Sequence, residues 1–333
     1  MTEPRVPQAL DRRLALELAR VTERAAVVAA RFRGRGDEQA ADEAALVAAH
    51  AVLSRMAVRG RIVIGEGLEG EVSHLWLGQE VGVGGDPVDL GVDVLEGATL
   101  CAKDMPGSLS VMVLAESGSL LNAPPVYMEK IAIGPGYAKG IVSLAARPEE
   151  NIAALARARG VPTAKITALI LDRPRHARLI EAVRAAGAAV KLITDGDVAG
   201  VIHTTNPAES GVDIYLGIGG AAEGVLAAAA LRCIGGQMQG RLVLDTETKR
   251  EQARSLGIRD FSRIYAVEDM VRGDCLVAFT GVTDGPLLAG VRFSQQVIVT
   301  DTLLMRASTG TVRRISTDHR DLTKFQIEEA DAG

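Results

Sequence analysis

Between Leu10 and Phe32 the apolar side chains fall at Leu14, Leu18, Val21, Ala25, Val28 and Phe32. Steps of four and three residues alternate along this stripe, which predicts one amphipathic helix. Gly34-Arg35-Gly36 breaks it, and Asp37 is placed to cap a second, alanine-rich helix reaching about Met56. The pattern then changes. Short apolar runs at Arg61 to Gly65, Val88 to Val92 and Leu109 to Leu114 read as buried strands, the last leaving the polar turn Glu116-Ser117-Gly118. Helices first and strands after give an α+β order.

Further along, the elements alternate. Ile166 to Leu171 reads as a strand, Pro174 to Gly187 as a helix and Ala189 to Ile193 as a strand. Asp195 begins another helix, Val212 to Leu216 is a strand and Ala221 to Ile234 a helix. Such alternation predicts right-handed crossovers and a parallel sheet. Charged residues and a proline interrupt the apolar pattern from Arg147-Pro148 to Arg159-Gly160, so the seam between two domains is expected there. The 333 residues suffice for two domains. The expectation is an α/β protein with an α+β first domain over 1–155, a parallel α/β domain over 156–320 and a disordered tail over 321–333.

Composition narrows the function classes. The chain is 47% apolar and 24% charged, an ordinary globular mixture. Its 42 acidic and 37 basic side chains argue against a nucleic-acid binder, because a phosphate polymer needs a basic surface. A small phosphorylated ligand needs only a few local cations. Aromatic residues make up 3%, too few for a membrane-interface belt or a base-stacking platform. The N-terminal MTEPRVPQALDRR has no apolar stretch of signal-peptide length, and no window is apolar enough to span a bilayer. Cys101, Cys233 and Cys275 fit no zinc or redox spacing and read as buried thiols, and the five histidines are scattered. A soluble cytoplasmic protein is expected.

Four acidic clusters stand at the ends of elements, where turns present functional groups. Asp37, Glu38, Asp42 and Glu43 open the second helix, where acids also complement the helix dipole. Glu66 in I-G-E-G follows a strand, as do Asp93 and Glu96 in V-D-V-L-E-G. Glu223 lies in the first turn of a helix, in G-I-G-G-A-A-E-G. An isolated acid after a strand is usually a turn residue. Several converging acids raise one another's pKa, a cost that a hard divalent cation with oxygen ligands relieves, as Mg²⁺ or Mn²⁺ would.

The second half carries candidates for anion binding. Gly217-Ile218-Gly219-Gly220 joins a strand to a helix start, where backbone N–H groups and the helix dipole can hold a phosphate. The same glycines can equally be steric. Arg173-Pro174-Arg175-His176 follows a strand and sets two guanidinium groups at a helix entrance, able to fork onto phosphate oxygens or simply to be solvated. Asp195-Gly196-Asp197, at the next strand end, can accept sugar hydroxyls or cap a helix.

Taken in order, I-V-I-G-E-G (62–67), V-D-V-L-E-G (92–97), L-N-A-P-x-V-Y-M-E-K (121–130), x-R-P-R-H (172–176), D-G-D-V-A (195–199), Y-L-G-I-G-G-A-A-E-G-V (215–225) and T-V-R-R-I (311–315) resemble class II fructose-1,6-bisphosphatase. The likeness extends over roughly residues 10 to 320 with the same order and similar spacings. It implies the layered sugar-phosphatase fold shared with lithium-sensitive inositol phosphatases. It also implies Mg²⁺- or Mn²⁺-dependent hydrolysis of the 1-phosphate of fructose 1,6-bisphosphate in gluconeogenesis, by a dimer or tetramer. The family's metal carboxylates fall on Asp42, Glu66, Asp93, Glu96 and Glu223, with Glu66, Asp93 and Glu96 serving metal-assisted water activation. Its substrate positions fall on Glu96, Gly97, Ala98, Tyr127, Arg173, Pro174, Arg175, Asp195, Gly196, Asp197 and Gly220.

Some positions depart from the family pattern. Where the family has an Asp four residues after the first metal Glu, this chain has Gly70; D-P-I-E-G-T becomes D-V-L-E-G-A, with Val94 for Pro and Ala98 for Thr. That Asp and Thr are the pair thought to orient and deprotonate the attacking water. Glu38 replaces a Lys, and Thr99 to Gly107 also strays. Glu69 and Glu71 flank Gly70 and are the nearest substitutes for a base. Three functions follow as expectations: an active bisphosphatase with a rearranged water-activating group, a paralogue for another phosphosugar such as sedoheptulose 1,7-bisphosphate, and a phosphosugar-binding or regulatory paralogue.

Overall fold

In the computed structural model, which describes residues 10–325, the stripe beginning at Leu14 forms helix α1 (Leu14–Ala29) and ends in a 3-10 turn at Ala30–Phe32. Leu18, Val21, Ala25 and Val28 are completely buried, as the period requires. Asp37 caps α2 (Glu38–Leu53), its Oδ1 accepting from the Ala40 N–H at 2.9 Å. Then come β1 (Val58–Ile64), β2 (Glu80–Val81), β3 (Asp86–Glu96), the short α3 (Ala98–Ala102) and β4 (Leu109–Glu116).

At Ser119 the chain enters a second compact unit that lasts to Arg272. It contains β5 (Tyr127–Ile133), α4 (Pro148–Arg159), β6 (Thr167–Leu171), α5 (Ala177–Ala185), β7 (Ala189–Ile193), α6 (Asp197–His203) and α7 (Pro207–Ser210). It continues with β8 (Ile214–Gly220), α8 (Ala221–Ile234), β9 (Gln237–Leu242), α9 (Glu247–Ser255), β10 (Ile264–Ala266) and α10 (Val267–Met270). From Gly273 the chain is back in the first unit with β11 (Cys275–Gly281), β12 (Arg292–Phe293), β13 (Ile298–Arg306) and β14 (Thr311–His319).

The first unit is one eight-stranded sheet in the order β12-β13-β11-β4-β3-β1-β2, with β14 alongside β13. β1 and β3 run parallel, and the other pairings are antiparallel. α1 packs on β3, β4, β11 and β13, and α2 packs on α1 and β3. The core between them joins Leu18, Val21 and Leu46 to Ile62, Leu90, Met112 and Leu276. The second unit's sheet has the order β10-β9-β5-β8-β6-β7. Ile131, Ile152, Leu155, Ile170 and Ile214 share its core.

Several expectations need correcting. The units divide at Gly118/Ser119 and Arg272/Gly273, not at 155/156. Apolar runs reveal strands but not their partners: β5 lies in the expected first domain yet pairs with β8 and β9, while β11 returns to pair with β4 from Cys275↔Ala115 to Gly281↔Leu109. The expected seam is helix α4, with Pro148 at the first turn, where its missing N–H costs nothing, and Ile152, Leu155 and Ala156 buried. The second sheet is parallel only across β8-β6-β7; β5, β9 and β10 add antiparallel pairs. Of the expected tail, Thr323–Phe325 form a 3-10 turn with Phe325 buried, and 326–333 lie outside the described residues, as do 1–9. The three cysteines are buried and none is in a disulfide. No helix among the described residues is long and apolar enough to cross a membrane.

His319, at the end of β14, is 3% exposed. Lys324 donates to its Nδ1 at 2.8 Å, so the ring proton sits on Nε2, which meets the Thr300 hydroxyl at 2.9 Å. The Phe325 ring stands edge-on 5.0 Å away. Burial, and then the Lys324 charge, press the imidazole down from its ordinary 6.5 to about 4. The unfolded chain therefore binds a proton between about 6.5 and about 4 that the folded chain refuses. This contribution to stability is complete above that window and is lost as pH falls through it. The urea midpoint of the wild type should drop across the window, and His319→Gln should flatten that part of the profile; equal slopes in the two proteins would rule the histidine out as the cause.

Candidate functional site

In the first unit the acids are gathered by strand geometry. The parallel pairing of β1 with β3 sets Ile64 beside Gly91, so β1 ends alongside the middle of β3. Against β4 the register runs Asp93↔Val111 and then Glu96↔Leu109, which leaves one extra residue on β3 at Val94–Leu95. In a regular strand residues three apart face opposite sides; the bulge cancels one step and turns Asp93 and Glu96 to the same face. Val94 donates its N–H to Glu66 Oε1 at 2.6 Å, which holds the Glu66 carboxylate at the bulge. Glu96 is buried, Asp93 and Glu66 partly so. Gly97 then adopts φ +74°, the left-handed turn that leads into α3 at Ala98.

Asp42 stands on α2, the helix that packs on β3. Burial, with the Glu43 charge beside it, raises its carboxyl to about 6. Among the described residues no three His, Cys, Asp or Glu side chains stand close enough together to hold a metal ion. Asp93 and Glu96 share a face and Glu66 is bonded at its edge, but the protein alone does not close the set.

The position of the absent aspartate is explained locally. Glu71 N–H donates to the Leu68 carbonyl at 3.0 Å, closing a turn whose third residue is Gly70 at φ +88°. That conformation is the glycine position of a type II turn. The Leu68 N–H in return donates to Glu71 Oε2 at 3.0 Å, so Glu71 braces the turn, and Glu69 is exposed.

The second unit holds the other candidates around β8. Its glycines Gly217–Gly220 lie inside the strand, paired with Lys130–Tyr127 of β5. They are small because side chains sweep over them. A Cβ at Gly217 would meet the His176 ring at 3.3 Å, one at Gly219 would collide with the Asp197 carboxylate, and one at Gly220 with that of Glu223. Lys130, 1% exposed, donates to Asp197 Oδ2 at 2.5 Å and to the Gly220 carbonyl at 2.7 Å. Glu223 folds back over the start of α8, its Oε2 buried and without a hydrogen-bond partner. Burial, and then the Asp197 charge, push its pKa up against the pull of Lys130. An anion arriving at this helix start meets a carboxylate.

Arg175 is held rather than free. Its Nε and Nη2 donate to the Ile218 carbonyl at 3.0 and 2.7 Å, and its guanidinium lies 4.9 Å over the half-exposed Tyr127 ring. Arg173, partly exposed beside Pro174, donates to the Asp172 carbonyl at 3.3 Å. His176 stitches β6 to β8, donating from Nδ1 to the Leu171 carbonyl at 2.7 Å and accepting the Ile218 N–H at Nε2 at 2.8 Å. Gly196 takes φ +82° between Asp195 and Asp197, and donates its N–H to Asp195 Oδ1 at 3.0 Å. A cleft of about 310 Å³ is lined by Tyr127, Gly220, Glu223 and Lys249. Sequence reasoning gave Lys130 and His176 no role. A signal existed for the lysine, which occupies an inward position in the alternation of Met128, Lys130 and Ala132.

The family described as bacterial fructose-1,6-bisphosphatase, glpX-encoded, matches this chain over residues 12–319. A "D-fructose 1,6-bisphosphatase class 2/sedoheptulose 1,7-bisphosphatase" of Synechococcus sp. (strain JA-3-3Ab) is 40% identical, over 93% of this chain and 96% of its own length. One with the same description from Synechococcus sp. (strain JA-2-3B'a(2-13)) is 39% identical over the same shares. A "Fructose-1,6-bisphosphatase 1 class 2" of Escherichia coli (strain K12) is 40% identical, again over 93% and 96%.

The Lys130 ammonium can be tested by removal. Lys130→Met keeps the length of the side chain but leaves the Asp197 carboxylate, 7% exposed, without its cation. Breaking a buried ion pair on one side costs about 3–5 kcal/mol. The urea midpoint should fall accordingly, and a midpoint like that of the wild type would show that the pair does not hold the second unit together.

Proposed function

Because the chain belongs to the bacterial, glpX-encoded fructose-1,6-bisphosphatase family, we propose that it hydrolyses one phosphate monoester of a sugar bisphosphate, converting fructose 1,6-bisphosphate to fructose 6-phosphate. The observation that carries this reading is the β3 bulge, with Asp93 and Glu96 on one face and the Glu66 carboxylate bonded beside them.

The donor chemistry fits a hard divalent cation, Mg²⁺ or Mn²⁺: every candidate donor is a carboxylate oxygen. Asp42 is raised to about 6 with a second acid at its side, and Glu223 keeps a buried oxygen unbonded. Both are charges that a cation would compensate. Asp42, Glu66, Asp93 and Glu96 would hold the metal in the first unit, and Glu223 is the carboxylate of matching chemistry in the second. When bound, the ion supplies charge neutralisation at the phosphoryl oxygens and an acidified water. The Val94 N–H keeps the Glu66 carboxylate aimed at the bulge. In the second unit Arg175, fixed on the Ile218 carbonyl and the Tyr127 ring, and the neighbouring Arg173 would orient a substrate phosphate, while Asp195 would accept a sugar hydroxyl. A cytoplasmic setting and a dimer or tetramer go with this reading.

Two observations support the other readings. Two relatives bear names that add sedoheptulose 1,7-bisphosphatase activity, which favours a second bisphosphate substrate. Gly70 and Ala98, with Glu71 engaged in its own turn, favour a phosphosugar-binding paralogue.

Phosphate release in Mg²⁺ or Mn²⁺ from fructose 1,6-bisphosphate, sedoheptulose 1,7-bisphosphate and their monophosphates separates the three. Turnover of fructose 1,6-bisphosphate that EDTA abolishes is expected; ligand binding with no turnover of any sugar would replace the enzyme reading by the binding one. In the Gly70→Asp/Ala98→Thr double variant the rate should rise, since a positioned general base contributes about 10²- to 10⁴-fold. Space is open at residue 70, but its φ of +88° sets a stability cost for the aspartate of about 1–2 kcal/mol. An unchanged rate would mean that another group activates the water.

A further inference from the structure

The ladder between β6 and β8 stops at Leu169↔Tyr215, two residues short of the end of β6 and five short of the end of β8. Beyond it, side chains instead of a strand meet the backbone of β8. Ile218 turns its N–H and its carbonyl toward the 3-10 turn Pro174–His176, and two adjacent residues of that turn take them. His176 Nε2 accepts the N–H at 2.8 Å, and Arg175 gives the carbonyl its Nε and Nη2 at 3.0 and 2.7 Å. The turn is closed by the His176 N–H on the Arg173 carbonyl at 2.9 Å, with Pro174 fixing its first step. The His176 ring, 1% exposed, is itself anchored by Nδ1 on the Leu171 carbonyl at 2.7 Å, and Gly217 leaves it room. One ring nitrogen donates and the other accepts, which only the neutral imidazole allows. Burial favours that form, holding the pKa below the ordinary 6.5.

Arg175 itself is exposed, and an exposed arginine samples many rotamers. Here the Ile218 carbonyl and the Tyr127 ring hold one of them. Of the five guanidinium N–H groups the carbonyl takes two, which leaves both on Nη1 and one on Nη2 for other acceptors. We propose that His176 is a positioning residue for a substrate phosphate: by pinning the Ile218 N–H it fixes the carbonyl on which Arg175 is seated, and so the direction in which the remaining N–H groups are presented. The proposal rests on the reading that Arg175 holds a phosphate of the sugar. A guanidinium already held in place spares the incoming phosphate the entropy of ordering it. His176 acts through Arg175 alone.

Calorimetric titration of the full chain with fructose 1,6-bisphosphate in EDTA tests it, since affinity is read there without turnover. His176→Phe keeps a buried ring and removes both nitrogens, and the affinity should fall about three- to tenfold. His176→Gln, which has one donor and one acceptor, should recover part of the loss. Arg175→Gln should lose about tenfold or more. Adding His176→Phe to it should change the affinity by less than about twofold, because the histidine has then nothing left to position. If His176→Phe fails to fold, Gly217→Ala takes its place: the new Cβ would stand 3.3 Å from the ring and displace it, with the same dependence on Arg175. Wild-type affinity in the folded variants, or an equal loss with and without Arg175, would overturn the proposal and leave His176 a purely structural stitch. No binding by the wild type, or wild-type affinity in Arg175→Gln, would overturn the phosphate reading of Arg175 and the proposal with it.

Discussion

A lysine ammonium with almost no access to water imposes the strictest constraint in the second unit. Taking Lys130 out of water is costly unless its donors are met, and here they are met by the Asp197 carboxylate and the Gly220 carbonyl. Much of the local sequence follows from that single group. Asp197 must sweep across β8 to reach it, which demands a glycine at 219, and Gly196 must turn left-handed to start α6 at the right angle. Glu223 then lies over Gly220, held between the attraction of Lys130 and the repulsion of Asp197. The glycine run at the end of β8 is thus a bed for charged side chains. It makes room for the Asp197 and Glu223 carboxylates.

The first unit handles its acids differently. There a bulge and a backbone N–H fix where they point. Asp93 and Glu96 are turned to one side by an extra residue, and Glu66 is secured by the amide that the bulge presents. Asp42, raised to about 6, shows what it means to leave a half-buried carboxylate beside another acid. One buried ion pair sets the charges of the second unit, whereas backbone geometry sets the direction of the acids in the first.

Much of this was readable in the sequence, and the unread part has a common physical origin. The stripe from Leu14, the Asp37 cap and the strand at Ala189–Ile193 follow from local periodicity and capping, so they appear where expected. The candidate acids were legible as residues but not as an arrangement. Asp93 and Glu96 are three apart, which on a regular strand would separate them, and only the register against β4 discloses the bulge. Lys130 was passed over because a lysine in a strand is normally a solvated residue, and its burial depends on Asp197, sixty-seven positions away. The domain boundary failed for the same reason: pairing between β4 and β11 spans more than a hundred and fifty residues and leaves no local mark. Gly70 was legible as a departure, but not as the left-handed corner of a turn braced by Glu71.

That long-range pairing has a consequence for how the chain is made. β4 and β11 are neighbours in the first sheet, yet the entire second unit is translated between them. The crossing is compact on both sides: Glu116 N–H bonds the Asp274 carbonyl at 3.2 Å, and Arg272 N–H the Ser119 carbonyl at 3.0 Å. During synthesis β3, β4 and the two long helices emerge early, but the sheet they belong to lacks β11 and β13 until the last part of the message is read. The second unit is contiguous and has every strand it needs once β10 is out. The unit that begins first is the one that must wait, with the β4 edge open to other chains in the interval, while the inserted unit can complete its fold on the ribosome.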